Sequence, residues 1–232
     1  MKSAYRIIEG QGQRAKLPLE IHHEKQPMKK SRARKPTMRK SGQIRIIGGM
    51  WKSRLLRFSE VADLRPSPDA VRETLFNWLP HNLNGKSCLD LFAGSGSFGF
   101  EAASRGASKV VMVESNSTAV SKLRSNREIL QAENVVEIIP LTVDKFLHKP
   151  KHSFDIVFLD PPFSSQVIES TCRNLADKDQ VPENQGSNGF LCPDALVYIE
   201  SLWNDYPLPI PPSWHIIRQK RCGMVKSTLI QT

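Results

Sequence analysis

From Ser87 onward, short apolar runs of strand length alternate with longer segments of helical pattern, and that alternation leaves few folds open to this chain. The runs are 87–92, 109–114, 135–139 and 154–159, and segments 97–105, 116–132 and 164–176 read as helices. Such βαβ repetition implies a parallel sheet with helices on both faces, because each crossover has to pack back onto the sheet. Ala195 to Glu200, Trp214 to Gln219 and Met224 to Ile230 add three strands, the last two joined around Gly223 as a hairpin. The expected fold is α/β: a doubly wound, mostly parallel, seven-stranded Rossmann-like sheet ending in an antiparallel hairpin.

Upstream, Gln43 to Gly49 and Arg54 to Phe58 are β-prone runs around a glycine pair, which predicts a small hairpin. A helix is predicted over 67–79, with Ser67 as N-cap, Pro68 at the first helical position and Asp69 complementing the positive helix end. Val71, Leu75, Trp78 and Leu79 give it one apolar face. The chain thus divides into a basic arm at 1–42, a hairpin-and-helix extension at 43–80 and the sheet domain at 81–232. The arm is rich in Lys, Arg, Gly and Pro and reads as disordered; Met28 and Met38 allow part of it to be an over-extended gene start. Segment 178–189 reads as a surface loop, and 206–212, with its prolines, as an extended connector.

Charge is unevenly placed. Residues 1–43 carry twelve Lys and Arg against three Asp and Glu, whereas residues 73–232 carry 15 against 17. A basic arm on a nearly neutral body is the footprint expected of a protein that meets a polyanion, and equally of a solubilising tail. No run approaches the roughly 18 apolar residues of a spanning helix, and the N-terminus lacks a secretion signal, so a soluble, cytoplasmic protein is expected. The four cysteines, at 88, 172, 192 and 222, form no C-x-x-C pair and have no His cluster beside them. Neither a disulfide framework nor a metal site is expected.

The chemistry gathers after the first and fourth strands. Residues 88–99, Cys-Leu-Asp-Leu-Phe-Ala-Gly-Ser-Gly-Ser-Phe-Gly, run from strand through a glycine-rich turn into a helix. Gly94, Gly96 and Gly99 match G-x-G-x-x-G, in which missing side chains let the backbone approach a ligand at a helix N-terminus. Glu114 closes the next strand 20 residues after Gly94, where a carboxylate accepts hydrogen bonds from ribose hydroxyls. A dinucleotide and S-adenosylmethionine both fit; Asp90 before the turn favours the second. The fourth strand then ends in Asp160-Pro161-Pro162-Phe163. Two consecutive prolines cannot continue a central strand and have fixed φ angles, so they present the Asp160 carboxylate and the Pro161 carbonyl rigidly. In an open parallel sheet this is the edge where ligands bind.

Taken together, L-D-L-F-A-G-S-G, the acidic end of strand two and D-P-P-F resemble class I S-adenosylmethionine-dependent methyltransferases that act on exocyclic amino nitrogens. With Q-I-R-I-I-G-G at 43–49, L-R-P at 64–66 and V-R-E-T-L-F-N-W-L at 71–79, the pattern is narrower and resembles the RsmD family of bacterial 16S rRNA guanine-N2 methyltransferases, over about residues 41–230. The resemblance implies S-adenosylmethionine as cofactor, with Asp90, Phe92, Gly94 and Gly96 near its methionine end, Glu114 at its ribose and Thr142 and Val143 near its adenine. Many relatives have Asp or Asn followed by Ala at the last two positions, so this pair departs from the pattern. It further implies Asp160, Pro161, Pro162 and Phe163 as the catalytic segment, guanine 966 of 16S rRNA within the small subunit or an assembly intermediate as target, and a monomer without metal or membrane.

Arg45, Lys52, Arg54, Arg57, Arg65 and Arg72 flank the sheet, and we expect them to grip rRNA phosphates while Trp51 or Phe58 contacts a base. An ordinary solvated surface with packed aromatics is the alternative. Competing functions are an amino methyltransferase of adenine or cytosine in DNA or of a protein glutamine, a noncatalytic rRNA-binding assembly factor, and a nicotinamide-dependent oxidoreductase.

Overall fold

Strand alternation decides how this chain builds its two layers. A computed structural model describes residues 41–59, 68–148, 152–162, 165–176, 189–204 and 207–232. The arm at 1–40, Ser67, Arg65, Phe163 and most of the expected loop at 178–189 lie outside them.

β1 (Ser41–Arg45) and β2 (Leu55–Ser59) form an antiparallel hairpin, followed by α1 (Asp69–Trp78). The sheet domain runs β3 (Ser87–Asp90), α2 (Ser97–Ser104), β4 (Lys109–Val113), α3 (Ser117–Leu130), β5 (Val136–Ile139), α4 (Val143–Leu147), β6 (Phe154–Leu159), α5 (Ser165–Ala176), β7 (Leu191–Leu202), β8 (His215–Cys222) and β9 (Val225–Gln231). The seven strands lie in the order β5-β4-β3-β6-β7-β9-β8. β5 through β7 are parallel, and β9 runs antiparallel between β7 and β8. The expected seven-stranded sheet is therefore present, with α4 added between β5 and β6.

Successive strand residues point to opposite faces, so each apolar run is split between two cores. Cys88, Met112, Ile156, Phe158 and Tyr198 pack on one face beneath α1, α2, α3 and the β1–β2 hairpin. Leu89, Val111, Val157, Leu159 and Val197 pack on the other, against α4 and α5. Apolar residues at both parities are needed for this, which is why these strands read as continuous apolar runs rather than alternating ones.

Several boundaries differ from the sequence reading. β1 begins at Ser41 and closes at Arg45, leaving residues 46–54 for a broad turn where strand had been expected to Gly49. Pro68 occupies the N-cap position of α1 rather than its first turn, and no side chain among the described residues caps that helix. α3 begins as its pattern demands: the Asn116 side chain accepts from the backbone N–H groups of Thr118 and Ala119. β7 extends from Leu191 to Leu202, beyond the apolar core 195–200, because Leu191 pairs with β6 and Ser201 and Leu202 pair with β9, contacts that hydrophobicity alone does not mark.

Candidate active site and cofactor cleft

Parallel pairing puts the carboxyl ends of β3, β4, β5 and β6 at one edge of the sheet. The turn at 91–96, Glu114 and Asp160 follow β3, β4 and β6 directly and Thr142 lies three residues past β5, so topology brings together residues spread over some 70 positions.

The glycine turn is shaped by its backbone. Gly96 has φ +80°, a left-handed conformation that residues with a Cβ rarely adopt, and a Cβ there would lie 2.6 Å from the Phe100 ring and 2.7 Å from Leu123. Behind the turn, Glu114 accepts from Gly94 N–H at 2.8 Å through Oε2 and from Asn116 N–H at 2.7 Å through Oε1. Glu114 thus ties β4 to the turn, while each carboxylate oxygen retains acceptor capacity for a ribose hydroxyl. Phe92 is half-buried against the α4–α5 layer.

Asp90 is buried at the end of β3, where its Oδ2 accepts from Gly99 N–H at 3.1 Å. Its Oδ1 makes no hydrogen bond among the described residues. Burial pushes its carboxyl up to about 7, against the Gly99 hydrogen bond, and the nearby charges of Asp160 and Glu114 push the same way. Because the folded-state value is raised, the contribution to stability is full below the ordinary carboxylate value of 3.8 and is lost as pH rises through about 7. Asp90→Asn removes the titration. In denaturant melts, the stability of the variant relative to wild type is expected to grow by about 2 kcal/mol between about pH 5 and about pH 7; parallel curves would show that Asp90 ionises normally.

At the other end of the cleft Thr142 is exposed and caps α4, its Oγ1 accepting from Lys145 N–H at 3.4 Å, and Val143 begins that helix half-buried. Asp160 is half-buried one residue past β6, Pro161 is buried and Pro162 is exposed. Beneath them Phe158 stacks on Phe98 at 5.6 Å between centroids, and Phe98 meets Tyr198 edge-on at 5.5 Å, an aromatic layer under the end of β6.

The extension is fastened to α2 by side chains that sequence reading missed. Glu101, wholly buried, accepts from the backbone N–H groups of Ile47 at 2.7 Å and Gly48 at 2.8 Å, and from Arg105 Nε at 2.8 Å. Ser104 donates to Gly48 O at 2.6 Å and accepts from Trp51 N–H at 2.9 Å. Gly49, at φ +76°, lies so close that a Cβ would overlap the Ser104 carbonyl. The available signal was a single acid within the apolar helix run F-G-F-E-A-A, since an unpaired buried charge is not tolerated.

Two residues of the expected RNA-facing surface, Arg72 and Phe58, need correction. Arg72 is 1% exposed and pairs with Asp69 at 2.5 Å and Glu101 at 3.7 Å, so it belongs to this internal network and does not reach a phosphate. Phe58 is buried in the core of the extension, and Trp51 is only half-buried against it. The outward-facing side is polar instead: Arg45, Lys52, Arg54 and Arg57 are exposed. Arg45 lies 3.4 Å from Asp69, and Arg54 donates weakly to Ile129 O at 3.5 Å. Arg57 is held through its backbone, which exchanges hydrogen bonds with the Asn126 side chain.

A part-exposed Gly94 in left-handed backbone, a buried Asp90 oxygen with no hydrogen bond among the described residues and a carboxylate closing β4 suit S-adenosylmethionine. Sheet and site together define an S-adenosylmethionine-dependent methyltransferase. The same fold occurs in the Thermus thermophilus 16S rRNA N2 G1207 methyltransferase solved with AdoMet and guanosine, at TM-score 0.60 over 85% of this chain and 51% of that one; at 19% identity the likeness is one of fold. Much nearer are the ribosomal RNA small subunit methyltransferases D of Haemophilus influenzae, 39% identical over 82% of this chain and 94% of that protein, and of Escherichia coli, 38% identical over 85% and 94%. The solved Escherichia coli methyltransferase structure yhhF superposes at TM-score 0.72, with 37% identity over 82% of this chain and 98% of that one. Residues 44–231 match the family described as Conserved hypothetical protein 95. The chain belongs to that family, the ribosomal RNA small subunit methyltransferases D. Among the described residues, no helix is long and apolar enough to cross a membrane.

Proposed function

We infer that this protein methylates the exocyclic 2-amino group of guanine 966 in 16S rRNA, in the cytoplasm, as a monomer, on the small subunit or an intermediate of its assembly. The observation that carries this reading is the shared sheet edge, which sets Asp160-Pro161-Pro162 beside the turn at 91–96 in a chain of this family.

Bound at the turn, S-adenosylmethionine supplies an electrophilic methyl group. Asp90, Phe92, Gly94 and Gly96 hold its methionine end, Glu114 its ribose, and Thr142 and Val143 flank its adenine. The protein's task is to make a poor nucleophile reactive, because the guanine amino lone pair is delocalised into the ring. The Asp160 carboxylate and the Pro161 carbonyl each accept one N–H of that amino group, which favours a pyramidal nitrogen and frees its lone pair. As the N–C bond forms and the methyl–sulfur bond breaks, nitrogen gains positive charge; the Asp160 carboxylate stabilises it, and the proton that nitrogen then loses goes to Asp160 or to water. Pro161 and Pro162 keep both acceptors in place, and Phe163 stacks on the extruded base. Arg45, Lys52, Arg54, Arg57 and Arg65 contact phosphates, a sequence-independent grip that positions the RNA.

The test is transfer of labelled methyl from S-adenosylmethionine to unmodified small subunits, 16S rRNA and DNA, followed by nucleoside analysis. N2-methylguanosine on rRNA is the expected product. Label on DNA, or on an adenine or cytosine, would overturn the substrate assignment.

A further inference from the structure

β8 is the outer strand of the sheet, and all eight of its residues are exposed. It carries Arg218, Lys220 and Arg221 and no acid. Direction matters here: β9 is antiparallel to both β7 and β8, so β8 runs parallel to β6 and ends at the edge that carries Asp160. Register matters as well. Leu159, the last residue of β6, pairs with Ile199, and β7 continues three residues further to Leu202, opposite Val225, which also faces Cys222. At about 3.3 Å per residue the β7–β9–β8 corner rises about 10 Å past the end of β6.

At the tip of that corner Trp203 is 41% exposed and Met224 58% exposed. The Arg221 guanidinium lies 4.8 Å from the Trp203 ring centroid and is fixed by Nε donating to Gly223 O at 2.8 Å. The Trp203 backbone N–H donates to Met224 O at 2.8 Å, which secures the tip to β7. Lys220 Nζ donates to Thr74 Oγ1 at 3.1 Å, which places Lys220, and Arg218 two residues before it, on the α1 face of the sheet, opposite to Arg221. An ordered, part-exposed indole with a paired guanidinium above a catalytic edge has the composition of a platform for unpaired nucleotides: a base stacks on the ring and its phosphate meets the Arg221 cation.

We propose that Trp203, Arg221 and Met224 form a stacking platform for an unpaired nucleotide flanking the target guanine. This rests on the rRNA reading above. It places a second RNA contact on the C-terminal hairpin, on the opposite flank of the cleft from the cofactor turn in strand order, and it assigns specificity for looped RNA to residues far in sequence from the basic extension.

The test compares wild type with Trp203→Ala, Trp203→Phe and Arg221→Ala in binding to protein-free 16S rRNA across a salt series, and in methyl transfer to small subunits. Trp203→Ala is expected to weaken binding and raise KM about tenfold, Trp203→Phe to recover most of that loss, and Arg221→Ala to reduce the slope of log affinity against log salt by about one. Affinity for S-adenosylmethionine stays at the wild-type value in all three, which separates the effect from misfolding. Wild-type affinity and slope in both alanine variants overturn the platform. Equal losses in Trp203→Phe and Trp203→Ala overturn stacking as its basis, and a defect confined to assembled subunits reassigns the surface to a ribosomal protein. If wild type itself transfers no methyl to rRNA, the functional reading fails and the platform fails with it.

Discussion

Glu101→Ala lowers the unfolding free energy by about 3–5 kcal/mol and the thermal midpoint by about 10 °C. The carboxylate is wholly buried, and its loss leaves the backbone N–H groups of Ile47 and Gly48 without acceptors. It also leaves Arg72, 1% exposed, with only the half-exposed Asp69 as counter-ion. Removing one partner of a buried pair is far more damaging than replacing the whole pair with apolar groups. Glu101→Gln keeps an acceptor for one or both N–H groups and falls between the two. Calorimetry gives the stability, and protease cleavage between residues 46 and 54, rising before global unfolding, reports release of the turn. A wild-type midpoint for Glu101→Ala would show that Phe58, Ile44 and Leu56 hold the extension without it.

Asp160→Asn reduces kcat by about 10²–10³ while S-adenosylmethionine binding changes by less than about threefold. Asparagine keeps the size and one oxygen, but it offers no negative charge to a nitrogen that becomes positive, and its NH2 opposes the N–H it has to accept. The loss therefore belongs to the transition state, and kcat/KM falls with kcat rather than through KM alone. A weakened affinity for S-adenosylmethionine with unchanged kcat would move Asp160 from the substrate to the cofactor. Asp90→Asn has the opposite signature, with lower cofactor affinity and a flatter stability profile against pH, so the two carboxylates at one sheet edge are separable by experiment.

Much of this site was legible because its parts are local. Gly94, Gly96 and Gly99 sit within six residues, Glu114 stands 20 residues on at the end of the next apolar run, and Asp160-Pro161-Pro162 breaks a strand conspicuously. Each needs only its neighbours to be recognised. Thr142 is different: its hydroxyl caps α4, a short helix with too few turns to show a period. Arg72 was misread because a cation in an amphipathic helix is ordinarily solvent-facing, and only the approach of Glu101 from α2 turns it inward.

By itself the sequence determined the sheet class, the order of its strands, the acid-tipped strands and the glycine turn, since apolar periodicity, proline and glycine act through bonds and near neighbours. Tertiary structure alone decided which charges are buried, where the extension docks and that Trp203 meets Arg221 beyond the end of β6. Those outcomes depend on pairing register and on contacts between residues tens of positions apart. Ile47 and Glu101 are 54 residues apart in the chain and share one hydrogen bond of 2.7 Å; no local preference of either residue specifies it.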